Sequence, residues 1–166
     1  MKITLYRAIT GTLVVLWMAV IFLFSSQPAE QSGKMSGNVC DKIVEDTNQI
    51  LNLNMTEQKK EATAKKIEFP VRKAAHMTEY AILGLLSFAF YRGILKKDKA
   101  RYAAALLTAA LYACTDEFHQ RFSFGRSAEV RDVCVDTAGA AIGLLILYFI
   151  LKVVRKHCQK HKVNLQ

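Results

Sequence analysis

The chain has 166 residues, one domain's worth, of which 52% are hydrophobic, and its mean hydropathy is +0.14. The net charge of +9 would suit nucleic acid in a soluble protein, but no recognition motif accompanies it and no nucleic-acid partner is expected. The apolar residues come in blocks rather than at regular intervals, with Lys and Arg beside them, which points to a bilayer as solvent and to anionic lipid as the attractor of the charge.

The first block covers about 8–24, after Lys2 and Arg7 and before Ser25-Ser26-Gln27-Pro28. A signal peptide has the same outline, but this block is long for one and no A-x-A site follows, so an uncleaved first membrane helix is expected. Residues 29–69 are polar, with acids and bases nearly balanced. Val39, Ile43 and Ile50 can share one helical face there, and Asn54-Met55-Thr56-Glu57 offers capping chemistry before a Lys/Glu/Ala-rich run ending near Ile67. Two readings stay open for this segment: a solvated linker, or a helical lid or interfacial piece over a site. Phe69-Pro70 should break that helix and start the next.

A second membrane helix is expected over about 72–95, apolar from Ala81 onward but carrying Lys73, His76 and Glu79 in its first turns. A basic loop with Arg92, Lys96, Lys97, Lys99 and Arg101 follows. The third helix covers about 100–119. Its apolar part ends at Cys114, too short to cross about 30 Å of hydrocarbon, so it must continue through Asp116 and Glu117. The fourth covers about 130–154, carries Asp136 early and ends in Lys152, Arg155, Lys156, Lys160 and Lys162. The isolated cysteines Cys40, Cys114, Cys134 and Cys158 give neither a zinc signature nor a disulfide framework. Cys114 and Cys134 read as small apolar residues in packed helices.

The expected fold is therefore all-α, a single domain over 1–166. It is a polytopic membrane bundle of four transmembrane helices, with a helical extracytoplasmic segment over 25–71 between the first two. The positive-inside rule places both termini and the 92–101 loop in the cytoplasm. Ser25 to Gln27, His76, Glu79, Asp116 to Arg126, Asp132 and Asp136 then share the outer side.

Helical spacing groups these residues further. His76, Glu79 and Tyr80 share a face, as do Tyr112, Asp116, His119 and Gln120. Asp132 and Asp136 lie above Gly139 and Gly143, and Ala105, Ala109 and Ala113 supply a matching small-residue face on the third helix. Packing faces and polar faces coincide, so an inward-facing polar cluster is expected. His76, Glu79, Asp116, Glu117 and His119 are the acid/base candidates; Ser26, Tyr80, Gln120, Arg126, Asp132 and Asp136 are the candidates for binding.

Each has a plainer reading. His76 and Glu79 can be a structural hydrogen-bonded pair, and Ser26 a helix-end group. Arg126 can form an internal salt bridge or capture a phosphate or carboxylate. Five carboxylates, Glu79, Asp116, Glu117, Asp132 and Asp136, cannot all be buried and ionised without counter-charges. Two histidines with several carboxylates could bind Zn²⁺ or Mn²⁺, but H-x-x-E and D-x-x-H are too common to signal a metal site, and the reading taken is no metal and no cofactor. No nucleophile elbow, P-loop or dinucleotide motif is present.

The order F-S-S-Q, then R-K-A-A-H-M-T-E-Y, then D-E-F-H-Q-R-F-S-F-G-R, then D-V-x-x-D-x-x-G-A resembles the VanZ-like family over nearly the whole chain. Phe124 departs from the family, which often has proline before Gly-Arg. The resemblance implies an integral protein of the bacterial plasma membrane, acting on or at the cell envelope. It also implies a link to teicoplanin-type glycopeptide resistance. It brings no catalytic roles with it. The expected partners are membrane lipids and an envelope precursor, lipid-linked or peptidoglycan-derived. A non-catalytic scaffold with a structural polar cluster, and a proton-coupled or small-solute transporter, are the competing readings.

Overall fold

The computed structural model describes residues 2–123 and 129–163 and contains five helices: α1 (Lys2–Ser25), α2 (Ala29–Ile50), α3 (Glu57–Arg92), α4 (Asp98–Gln120) and α5 (Val130–Val163). No strand occurs among the described residues. The all-helical expectation holds. α1 and the Val130–Gln159 part of α5 are long and apolar enough to cross a membrane. Only 22% of each apolar window is buried within the chain, whereas the core helix of a soluble protein would be mostly covered. Their outward faces, with Leu13, Leu16 and Leu23 on α1 and Ile146, Phe149 and Ile150 on α5, call for an apolar surrounding.

α3 and α4 do not reach the same apolarity, so two rather than four helices qualify by length and composition. Their surroundings give the physical reason. From Tyr80 to Phe90 no residue of α3 is exposed, because α1, α4 and α5 all pack around this half of the helix. α4 meets its neighbours through Ala105, Ala109 and Ala113, all at 0% exposure, and small side chains add little hydropathy. Outward, α4 presents Leu107, Leu111, Cys114 and Phe118 along one stripe. Cys114 and Cys134 are exposed rather than packed inside, because helix rotation turns both away from α3.

The expected break at Phe69-Pro70 does not occur, and α3 runs through Pro70 as one helix. An interior proline removes a hydrogen bond and costs about 3 kcal/mol. Here Phe69 and Pro70 are exposed, while Ile67 and Val71 on either side pack onto Cys40, Val44 and Ala64. That packing holds both sides of the proline to α2.

The segment before it is a helical hairpin rather than a linker. Asn52 and Asn54 take φ values of 49° and 48°, the left-handed region that Asn tolerates best after Gly. Asn48 Oδ1 accepts from Met55 N at 2.9 Å, and Thr56 caps α3 by accepting from Lys59 N at 3.4 Å, as the capping pattern expected. Lys60 pairs with Glu45 at 2.7 Å across the hairpin.

α3 and α5 cross with their backbones close together. A Cβ on Gly139 would lie 2.3 Å from the Met77 carbonyl oxygen, and one on Gly143 would lie 2.9 Å from Ala81 Cβ. The small-residue stripe is therefore what lets these backbones touch. α1 is tied to α3 and to the residue that follows it by polar bonds at three heights. Trp17 Nε1 donates to the Glu79 carbonyl at 2.8 Å, Tyr6 OH to the Ala89 carbonyl at 2.8 Å, and Arg7 Nε to the Gly93 carbonyl at 2.7 Å.

Candidate functional site

Lys73, His76 and Tyr80 follow one another on α3 at i, i+3 and i+7, so one helical face carries all three. This face meets the last turns of α4 and the first turns of α5. Asp116, Glu117, Gln120 and Asp136 are buried there. Lys73 Nζ pairs with Asp132 Oδ1 at 2.6 Å, Gln120 Nε2 donates to Asp116 Oδ2 at 3.2 Å, and Glu117 Oε1 accepts from Glu129 N at 2.6 Å. His76 Nδ1 lies 3.6 Å from Glu79 Oε2, too long for a good hydrogen bond but close enough for an ion pair if His76 is protonated.

Lys73 and His76 of α3, Glu117 and Gln120 of α4, and Asp132 and Asp136 of α5 line one cleft of about 10 Å³, room for roughly a single water. Among the described residues, three carboxylates face one lysine and one histidine in it. A proton, or a positive group of a ligand, would offset that surplus. The second oxygen of Glu117, Oε2, is buried without a hydrogen-bond partner among the described residues. Tyr80, at 0% exposure, likewise places its hydroxyl without a partner among them; its ring lies 6.3 Å from that of Tyr112.

The expected inward cluster thus forms, with differences in detail. His119 does not line the cleft. Its ring packs 4.4 Å from that of Phe22 on α1, and Nδ1 is buried without a partner among the described residues. Ser26 Oγ donates to the Phe22 carbonyl at 2.6 Å, the helix-end role, while Ser25 beside it is buried with its Oγ unpartnered among the described residues. Arg126 lies outside the described residues. Lys73 was missing from the expected site, and the i, i+3 spacing to His76 would have found it. Among the described residues, no three His, Cys, Asp or Glu side chains are placed to share a metal ion.

A second concavity of about 270 Å³ opens on the other side of His76. Phe24 of α1, Met35 and Val39 of α2, and Val71 and Ala75 of α3 form its apolar wall. Arg72, His76 and Glu79 are among its polar lining residues, so His76 borders both the polar cleft and the largely apolar groove.

No curated protein and no solved structure matches the chain. A family model described as VanZ/LLP1 matches residues 11–152, a stretch that contains every candidate site residue from Ser26 to Asp136. The chain belongs to the VanZ/LLP1 family.

Proposed function

We propose that the chain crosses the bacterial plasma membrane four times with both termini in the cytoplasm. In this reading its outer polar cluster recognises the charged part of a cell-envelope component, a lipid-linked or peptidoglycan precursor, and so alters susceptibility to glycopeptide antibiotics. The four-span arrangement is supported by the gathering of basic residues at one end. Arg7 bonds to Gly93 in the α3–α4 loop, and Arg155 on the α5 tail pairs with Asp98 at 2.9 Å. Exposed Lys96, Lys97, Lys99, Lys152 and Lys156 surround them. The positive-inside rule assigns such an end to the cytoplasm and the cluster to the outside.

The observation that carries the recognition reading is the position of His76, half-buried between a polar cleft and an apolar groove. A side chain that only held helices together would not need to border two concavities of opposite character. Histidine is the usual acid or base near neutral pH, and Glu79 3.6 Å away would pair with its protonated form, so the same pair can also act as acid and base on a bound molecule.

The scaffold reading has its own support, since Lys73 with Asp132 and Gln120 with Asp116 are internal pairs. Replacing His76 by Gln separates the two. The recognition reading expects unchanged protein level and melting, with the chain's effect on teicoplanin susceptibility reduced to that of a strain lacking it. Full retention of that effect, or disappearance of the protein from the membrane, contradicts it.

A further inference from the structure

We infer that the groove between α1, α2 and α3 holds the hydrocarbon chain of a membrane lipid whose polar group reaches His76; this rests on, and deepens, the recognition reading above. The volume of about 270 Å³ lies just below the roughly 300–1,000 Å³ usual for small-ligand sites, which suits part of a chain rather than a whole compact molecule. Its lining pairs apolar Phe24, Met35, Val39 and Val71 with polar Arg72, His76 and Glu79, the two characters an amphiphile needs.

The way into the groove points to lipid rather than water or protein. Met35 and Val39 are exposed, and the same face of α2 continues through exposed Ile43 and Ile50, at i, i+4, i+8 and i+15. α2 begins only four residues after α1 ends, so this stripe starts at the boundary of a helix apolar enough to cross the membrane. On the other lip, Leu23 and Phe24 are exposed at the end of α1. Cys40 and Val44 hold α2 against the first half of α3, and the neighbouring stripe, which starts beside the end of α1, is left open to face acyl chains as the apolar side of an interfacial helix does. The groove is then continuous with the hydrocarbon of the outer leaflet.

The polar part of the lining includes a cation. Arg72 Nη2 bonds to Glu68 and to Ser36 Oγ, while Arg72 Nε is buried without a partner among the described residues. Arg72 lines the groove one turn before His76, where a phosphate or carbonyl oxygen of a lipid head would sit.

The test uses the full chain in vesicles of phosphatidylglycerol containing a fraction with a photoreactive diazirine in the acyl chain, followed by peptide mapping. Adducts are expected in 35–39 and 71–75, besides those on the outward face of α5 around Ile146 and Ile150. Ala75→Trp, or Val39→Trp should the first not insert, fills the groove and is expected to abolish the groove adducts while leaving those on α5. Adducts on α5 alone, or groove adducts that survive both tryptophans, overturn the inference. His76→Gln keeps the outcomes distinct. Loss of its antibiotic effect without groove adducts in the unaltered chain refutes the groove alone, whereas groove adducts with the antibiotic effect retained support the groove and refute the recognition reading.

Discussion

At one end of the bundle Asp116, Glu117 and Asp136 are buried between helices, and Lys73 meets Asp132 at 2.6 Å. At the other, Arg101 and Arg155 share Asp98, Arg7 reaches a backbone carbonyl, and Lys96, Lys97, Lys99 and Lys152 stand exposed. The residue types are alike; their solvation is not. Exposed charges are stabilised by water and lose little when a partner is removed, whereas a buried charge depends on the groups around it. In the proposed topology the basic end is the anchor that sets orientation. The acidic end is where a single substitution is felt and where a ligand's polar group could be matched.

The largest effect is expected where the acidic end is pressed closed. Gly139→Ala would place a methyl group 2.3 Å from the Met77 carbonyl oxygen, forcing α3 and α5 apart. The cost should reach the upper part of the ~1–3 kcal/mol usual for overpacking. Thermal melting in detergent checks it, with Gly37→Ala as control, since nothing lies within 4 Å of a Cβ there. A neutral Gly139→Ala would mean that the two helices do not meet as described.

Next comes Lys73→Ala, which strips a half-buried Asp132 of its partner, for about 1–3 kcal/mol. Asp132→Asn in the same chain should recover most of the loss, because the stranded charge goes with it. Failure of that rescue would assign Lys73 a different role.

The smallest effect belongs to the basic end. Arg155→Ala should cost no more than ~1 kcal/mol, the range for surface ion pairs. The Arg155 hydrogen bond holds the Asp98 carboxyl below the usual aspartate value. A depressed folded pKa stabilises above the ordinary value of about 3.9 and loses that contribution as pH falls through the folded one. The Arg155→Ala difference should therefore shrink when melting is repeated in acid. A difference as large as that of Lys73→Ala would erase the contrast between the two ends.

Much of this could be read from the residues in order. α1 and α5 announce themselves because an apolar block needs no partner to be recognised. The Gly139–Gly143 stripe and the pairing of Asp116 with Gln120 follow from helical spacing, which is local. What could not be read depends on contacts distant in sequence. The continuity of α3 through Pro70 rests on Ile67 and Val71 packing against Cys40 and Val44. The turn of His119 toward Phe22, and of Cys114 and Cys134 outward, is set by helix rotation rather than spacing. The groove forms because α1 and α2 both pack against α3, which no periodicity reports.

The central claim is that the acidic cluster and the α2–α3 hairpin share the outer side and the basic end the inner. Single cysteines at Lys59, Arg121 and Lys99, all exposed positions, placed one at a time in a chain without its native cysteines, test it with a membrane-impermeant maleimide on intact cells. Labelling at Lys59 and Arg121 but not at Lys99 until the cells are opened is the predicted result. Labelling at Lys99 in intact cells, or equal protection of Lys59 and Lys99, would contradict it.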